Sequence, residues 1–201
     1  MPYGRLAPPL PRRRSRQPRG SHAMRTLLDR QVYVCYGQIY VESDPEFEGL
    51  SLDEAFEGQA NGLCGAAVPG ALWLITGLHT GAVAFTVEVH EEPPPLAPHW
   101  QEAVEVPFRP LSEDVGLAEW GGGAFWDLDL PVRDYRVRYC ARGMDEARDQ
   151  DTRLDGEPGS DHYLLQFWPA APAPGGILRR TSGTAAYWHA EFVTEPEGAA
   201  R

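Results

Sequence analysis

The 201-residue chain contains no lysine, and all 18 of its basic residues are arginine. Schiff-base catalysis and the lysine of a phosphate-binding P-loop are therefore excluded. Cysteine is also scarce, with three residues (Cys35, Cys64 and Cys140), an odd count too small for a disulfide scaffold. Such usage points to a reducing compartment. No run of 18 apolar residues occurs, and the early arginines are not followed by an apolar stretch, so neither a membrane-spanning helix nor a secretory signal is predicted. A cytoplasmic protein is expected. Positive charge is almost missing from the middle of the chain: between Gln31 and Val132, Arg109 stands alone against 17 acidic residues. With 29 acidic residues and a net charge of −11, the protein repels nucleic-acid backbones and anionic lipid, so no direct nucleic acid or membrane partner is expected.

What the chain does have is organised in two unlike parts. Residues 1–23 hold six Arg and five Pro with no acidic residue, and are read as a disordered Arg/Pro-rich tail or as a start placed too early, since a second methionine stands at 24. Residues 24–201 are read as a single β-sandwich domain. From Gln31 onward, short runs rich in Val, Tyr, Phe and Trp alternate with period two between Gly, Pro and Asp clusters. Val83, Phe85, Val87 and Val89 alternate with Ala84, Thr86, Glu88 and His90, and Tyr135, Val137 and Tyr139 with Arg136, Arg138 and Cys140. Further strands are predicted over 31–41, 62–68, 71–76, 115–120, 124–130 and 162–168, around 104–108, and more weakly over 185–193. One helix is predicted, from Ser51 to Gln59, with Ser51 as its cap and Glu54 three residues on. The fold class is all-β: an antiparallel β-sandwich with one short helix and long loops.

No pattern in the chain calls for an enzyme. There is no G-x-S-x-G elbow, and Cys35 and Cys140 lie within predicted strands, where cysteine acts as a small buried hydrophobe. There is no H-E-x-x-H, no paired C-x-x-C and no H-x-H, and His79, His90, His99, His162 and His189 are scattered. The loop carrying Asp149, Asp151, Asp155 and Gly156 has oxygen ligands but lacks the ligand order of an EF-hand, so weak or no Ca²⁺ binding is expected. No cofactor and no metal are called for. Of the tryptophans, Trp73 and Trp126 are expected in the core, and Trp100, Trp168 and Trp188 nearer the surface, where a stacking platform for a sugar could form.

The densest charge is the run Glu42, Asp44, Glu46, Glu48, Asp53, Glu54 and Glu57, seven carboxylates in 16 residues with no basic residue among them. An acidic face is ordinarily a solvated face, but against a basic partner it raises association rates and helps fix orientation. These seven residues are the candidate partner-binding set.

The order of CYGQIYV at 35–41, GLCGAAVPGALWL at 62–74, EAVEVPF at 102–108 and DLDLPVRDYRVRYC at 127–140 resembles the competence protein J family, small bacterial inhibitors of a DNA-entry nuclease. The carriers are strand and turn motifs, so the resemblance implies a fold and a class of role without naming contact residues. It implies a non-enzymatic, immunity-type protein whose acidic face covers the basic active-site groove of a protein partner, a nuclease. An acidic insertion at 144–160 and an extra stretch from Pro169 depart from the family pattern. A module binding a small ligand or carbohydrate through exposed Trp is the alternative.

Overall fold

The computed structural model describes residues 24–44 and 49–192, and the tail expected at 1–23 lies outside them. Eleven strands occur among the described residues: β1 (Met24–Val34), β2 (Gln38–Glu42), β3 (Cys64–Gly65), β4 (Ala71–Ile75), β5 (Gly81–His90), β6 (Glu102–Phe108), β7 (Gly116–Glu119), β8 (Phe125–Asp127), β9 (Tyr135–Arg142), β10 (His162–Pro169) and β11 (Gly176–Arg179). They form a six-stranded sheet, β1-β5-β10-β9-β6-β11, and a five-stranded sheet, β3-β4-β2-β7-β8. The expected all-β sandwich architecture is observed. One pair departs from the antiparallel expectation, because β10 inserts between β9 and β5 and runs parallel to β5. A parallel pair needs a long connection, and the whole stretch between β5 and β10 supplies it.

The single run expected over 31–41 is cut by a turn. Tyr36 (φ 57°) and Gly37 (φ 65°) are both left-handed between the bridged residues Cys35 and Gln38, which is the geometry of a tight two-residue hairpin turn. The chain passes there from one sheet to the other, and the turn is pinned by Thr76 N–H donating to Gly37 O and Gly37 N–H donating to His79 O, both at 2.9 Å.

Period-two alternation sends Val83, Phe85 and Val87 of β5, Tyr135, Val137 and Tyr139 of β9, and Tyr163, Leu165 and Phe167 of β10 into one core with Ile39, Val41, Leu72, Leu74 and Leu117 of the other sheet. Full burial of each large side chain contributes about 1.5–3 kcal/mol. Phe85, Tyr139 and Tyr163 stack with centroids 6.0–6.4 Å apart, and the Tyr139 hydroxyl crosses between the sheets to donate to Ile75 O at 2.9 Å. The arginines of β9 take the opposite face, as the alternation predicts, where Glu105 pairs with Arg136 at 3.0 Å and Arg138 at 2.8 Å. That face is not simply wet: Arg138 is buried, because it also lies over Trp168 and donates to Pro94 O in the proline-rich loop that covers the sheet.

Among the described residues three α-helices form instead of one: α1 (Leu52–Phe56), α2 (Met144–Gln150) and α3 (Gly183–Phe192). The capping box of α1 is present in full between Ser51 and Glu54, but the helix stops at Phe56, shorter than expected. The acidic loop expected at 144–160 begins as α2, and the weak strand expected at 185–193 is α3. Among the described residues, no group of three or more His, Cys, Asp or Glu side chains is arranged to hold a metal. A local cap and the tertiary setting together select helix for α3: Ser182 Oγ accepts Ala185 N–H, and the Asp145 carboxylate of α2 accepts the Gly183 and Thr184 N–H groups and the Thr184 hydroxyl.

His189 fixes the other end of α3. Its Nδ1 accepts the Gly62 N–H at 2.9 Å, which places the neutral ring's proton on Nε2, and burial, with Arg180 adding to it, pushes its pKa down to about 4. The unfolded chain takes up this proton near pH 6.5. Between these values the unfolded state binds more protons, so stability is lost as pH falls from 6.5 toward 4, on the order of 2 kcal/mol. Urea unfolding at pH 7.5 and 5 should show this loss shrinking in His189→Asn. His162 is depressed in the same direction, so the difference between variant and wild type isolates His189. Equal losses in the two proteins would contradict the assignment.

Candidate partner interface

On the outer face of the five-stranded sheet, Tyr40 of β2 lies in register with Ala118 of β7 and Phe125 of β8, and Glu42 with Gly116 and Asp127. The Phe125 ring lies over Gly116, where a Cβ would meet it at 2.0 Å, so this contact requires glycine. Beyond β7, Gly121 (φ 69°) and Gly122 (φ 76°) turn the chain tightly. The Glu119 carboxylate holds that turn against β1, accepting the Ala124 N–H at 3.0 Å and the Tyr33 N–H at 2.7 Å. The result is a pocket of about 410 Å³ whose lining includes Tyr40, Glu42, Leu50, Trp120 and Phe125. Tyr36, displayed by its left-handed turn, meets Trp120 edge-to-face at 5.0 Å. A left-handed aromatic residue costs on the order of 1–3 kcal/mol, and such positions cluster at functional sites. Trp120 is 44% exposed, Phe125 53% and Tyr36 58%, which makes this an unusually aromatic stretch of open surface.

Glu42 is half-buried beside these rings. Its carboxylate has no hydrogen-bond or ion-pair partner among the described residues, and desolvation pushes its pKa up. The Tyr40 hydroxyl donates to Gln38 at 2.6 Å, and burial, then the Glu42 charge, raises its pKa.

A second hollow, of about 450 Å³, lies at α1, where Asp53, Glu54 and Glu57 meet Glu191 of α3 around Phe56 and Phe192. Phe56 stacks on Phe192 at 4.5 Å and Phe192 on Trp188 at 6.0 Å, so α3 is the support that positions α1. Among the described residues, no basic residue lines either hollow. Glu54 is partly committed, since its carboxylate accepts the Ser51 hydroxyl at 2.6 Å within the cap.

Of the seven carboxylates singled out in the sequence, Asp53, Glu54 and Glu57 come together, Glu42 lines the aromatic pocket, Asp44 is half-buried just after β2, and Glu46 and Glu48 lie outside the described residues. Sequence reading missed Glu191, which joins α1 only through the fold, and missed Tyr36 and Phe125. The one local signal was Trp120 standing directly before three glycines. The tryptophan expectations are corrected as well. Trp100 and Trp168 are buried, Trp100 against Cys140 and Leu164 and Trp168 under Arg138, while Trp126 is only half-buried under Arg30. Cys64 and Cys140 are buried, which pushes the Cys64 thiol far up and Cys140 up to about 12, so neither supplies a thiolate at neutral pH. No helix among the described residues is long and apolar enough to cross a membrane.

No protein-family model matches the sequence, and no curated protein matches it. Two solved structures are similar. ComJ from Bacillus subtilis, described as an inhibitor of the DNA degrading activity of NucA, is 17% identical with a TM-score of 0.49, over 74% of this chain and 99% of its own. The crocagin biosynthetic gene J protein is 12% identical with a TM-score of 0.51, over the same shares of 74% and 99%. At that identity the likeness is one of architecture, and the chain has a fold similar to that of the crocagin protein.

Proposed function

We propose that the protein is a non-enzymatic, cytoplasmic inhibitor or immunity-type protein, whose acidic surface covers the basic active-site groove of a protein partner, a nuclease. The observation that carries this reading is the meeting of Asp53, Glu54 and Glu57 with Glu191 around one hollow in which no cation stands among the described residues. A nuclease groove must attract phosphate, so carboxylates held on a rigid surface occupy it by charge complementarity and exclude substrate. The nuclease is named on the sequence resemblance to the competence protein J family. Of the seven carboxylates, Asp53, Glu54 and Glu57 are assigned to the contact, Glu42 to the neighbouring pocket, and Asp44, Glu46 and Glu48 to the intervening segment.

The test begins with capture of host proteins on the immobilised chain and continues with association rates for a captured basic nuclease. Asp53→Arg, Glu57→Arg and Glu191→Arg together should slow association by about tenfold or more at low salt. Glu54 is left in place because it caps α1. Wild-type binding should weaken steeply as ionic strength rises past about 0.15 M, where charges are screened beyond roughly 8 Å. Association indifferent both to salt and to the triple reversal would remove the acidic-cover reading.

A further inference from the structure

We propose that the pocket of Tyr40, Glu42, Trp120 and Phe125 is a receptor for one arginine side chain, presented by the protein partner. The inference rests on the partner-covering reading and names what the partner must insert.

The chain itself shows how it treats guanidinium groups. Arg138 lies 5.1 Å from the centroid of the Trp168 ring while pairing with the Glu105 carboxylate at 2.8 Å, and Arg30 lies 4.8 Å from the Trp126 ring. Arg133 and Arg148 face the rings of Tyr135 and Tyr187 in the same way, each at 5.1 Å. At the Glu42 pocket the carboxylate and the aromatic walls are present, and no arginine among the described residues lines it. The half-buried Glu42 carboxylate has lost water without gaining a counter-ion among the described residues, an arrangement that favours an incoming cation. A planar, weakly hydrated guanidinium suits the site better than an ammonium, because it stacks on the ring while sharing its donors with the carboxylate. A pocket of about 410 Å³ also admits the turn that carries the side chain.

The probe is Nα-acetyl-arginine amide, with the neutral isostere Nα-acetyl-citrulline amide as its control, each followed by ¹H–¹⁵N spectra of the full chain. The arginine compound should shift the Trp120 indole and the Gly121 and Gly122 amides saturably at millimolar concentration, and the citrulline compound should not. Glu42→Gln, which keeps the shape of the pocket, should weaken the response at least fivefold with the remaining spectrum unchanged, and Trp120→Ala should abolish it. No saturable shift, an equal response to citrulline, or an unaffected Glu42→Gln variant would each overturn the proposal. The two readings separate on the captured partner. If reversal at Asp53, Glu57 and Glu191 slows association while Glu42→Gln and Trp120→Ala leave it unchanged, the acidic cover stands and the arginine receptor falls.

Discussion

Replacing Arg153 with methionine is expected to destabilise the protein by about 3–5 kcal/mol, because it strands a buried charge. The Arg153 guanidinium pairs with Asp161 at 2.8 Å, with side-chain exposures of 4% and 0%, and donates to Ala82 O at 2.7 Å and to the Gln150 side chain at 3.0 Å. The other Asp161 oxygen accepts the Tyr163 hydroxyl, which in turn accepts the Gly77 N–H. The pair thus ties the stretch after α2 to the centre of the six-stranded sheet. Close approach here also needs glycine: a Cβ on Gly81 would meet Arg153 O at 2.6 Å, and one on Gly159 would meet its guanidinium at 2.6 Å. Adding Asp161→Asn to Arg153→Met should restore much of the loss, since no uncompensated charge then remains. Urea unfolding of the two variants decides the matter, and a single-variant loss below about 1 kcal/mol would show that the pair is not what anchors this stretch.

Glu102→Ala should release α3 from the sheet at a cost of about 1–3 kcal/mol, the expected consequence of leaving the buried Ser182 N–H and the partly buried Thr181 N–H unpaired. The Glu102 carboxylate, fully buried on β6, accepts the Ser182 N–H at 2.7 Å, the Thr181 N–H at 3.1 Å and the Thr181 hydroxyl at 3.2 Å. Together with Asp145 it forms the latch that holds the start of α3. Because Phe192 of α3 is stacked on Phe56, loosening α3 should also loosen α1 and its carboxylates. Amide hydrogen exchange should therefore accelerate over residues 183–192 and, to a lesser degree, 52–56. Unchanged protection of both helices would mean that the latch contributes nothing.

The alternation of Val83, Phe85 and Val87, and of Tyr135, Val137 and Tyr139, was legible in the sequence because side-chain direction along a strand is local geometry. The same holds for the α1 cap, where Ser51 and Glu54 interact within a single turn. Helix α3 was not legible. Its aromatic residues favour strand locally, and beyond the local Ser182 cap what stabilises it as a helix comes from Asp145 and Phe56, distant in sequence. Missing β11 has a similar cause, since its four residues gain their strand pairing from β6, distant in sequence.

Charge, composition and strand period thus specified an acidic, two-faced β-protein and the carboxylates of Asp53, Glu54 and Glu57, since these follow from residues a few positions apart. Which strands pair, the parallel insertion of β10 beside β5, the arrival of Glu191 next to α1, and the gathering of Glu42, Trp120 and Phe125 into one pocket all depend on contacts between distant segments. Those contacts form only when the two sheets bury their inner faces together, so tertiary packing, and not any local run of residues, builds both hollows of the candidate interface.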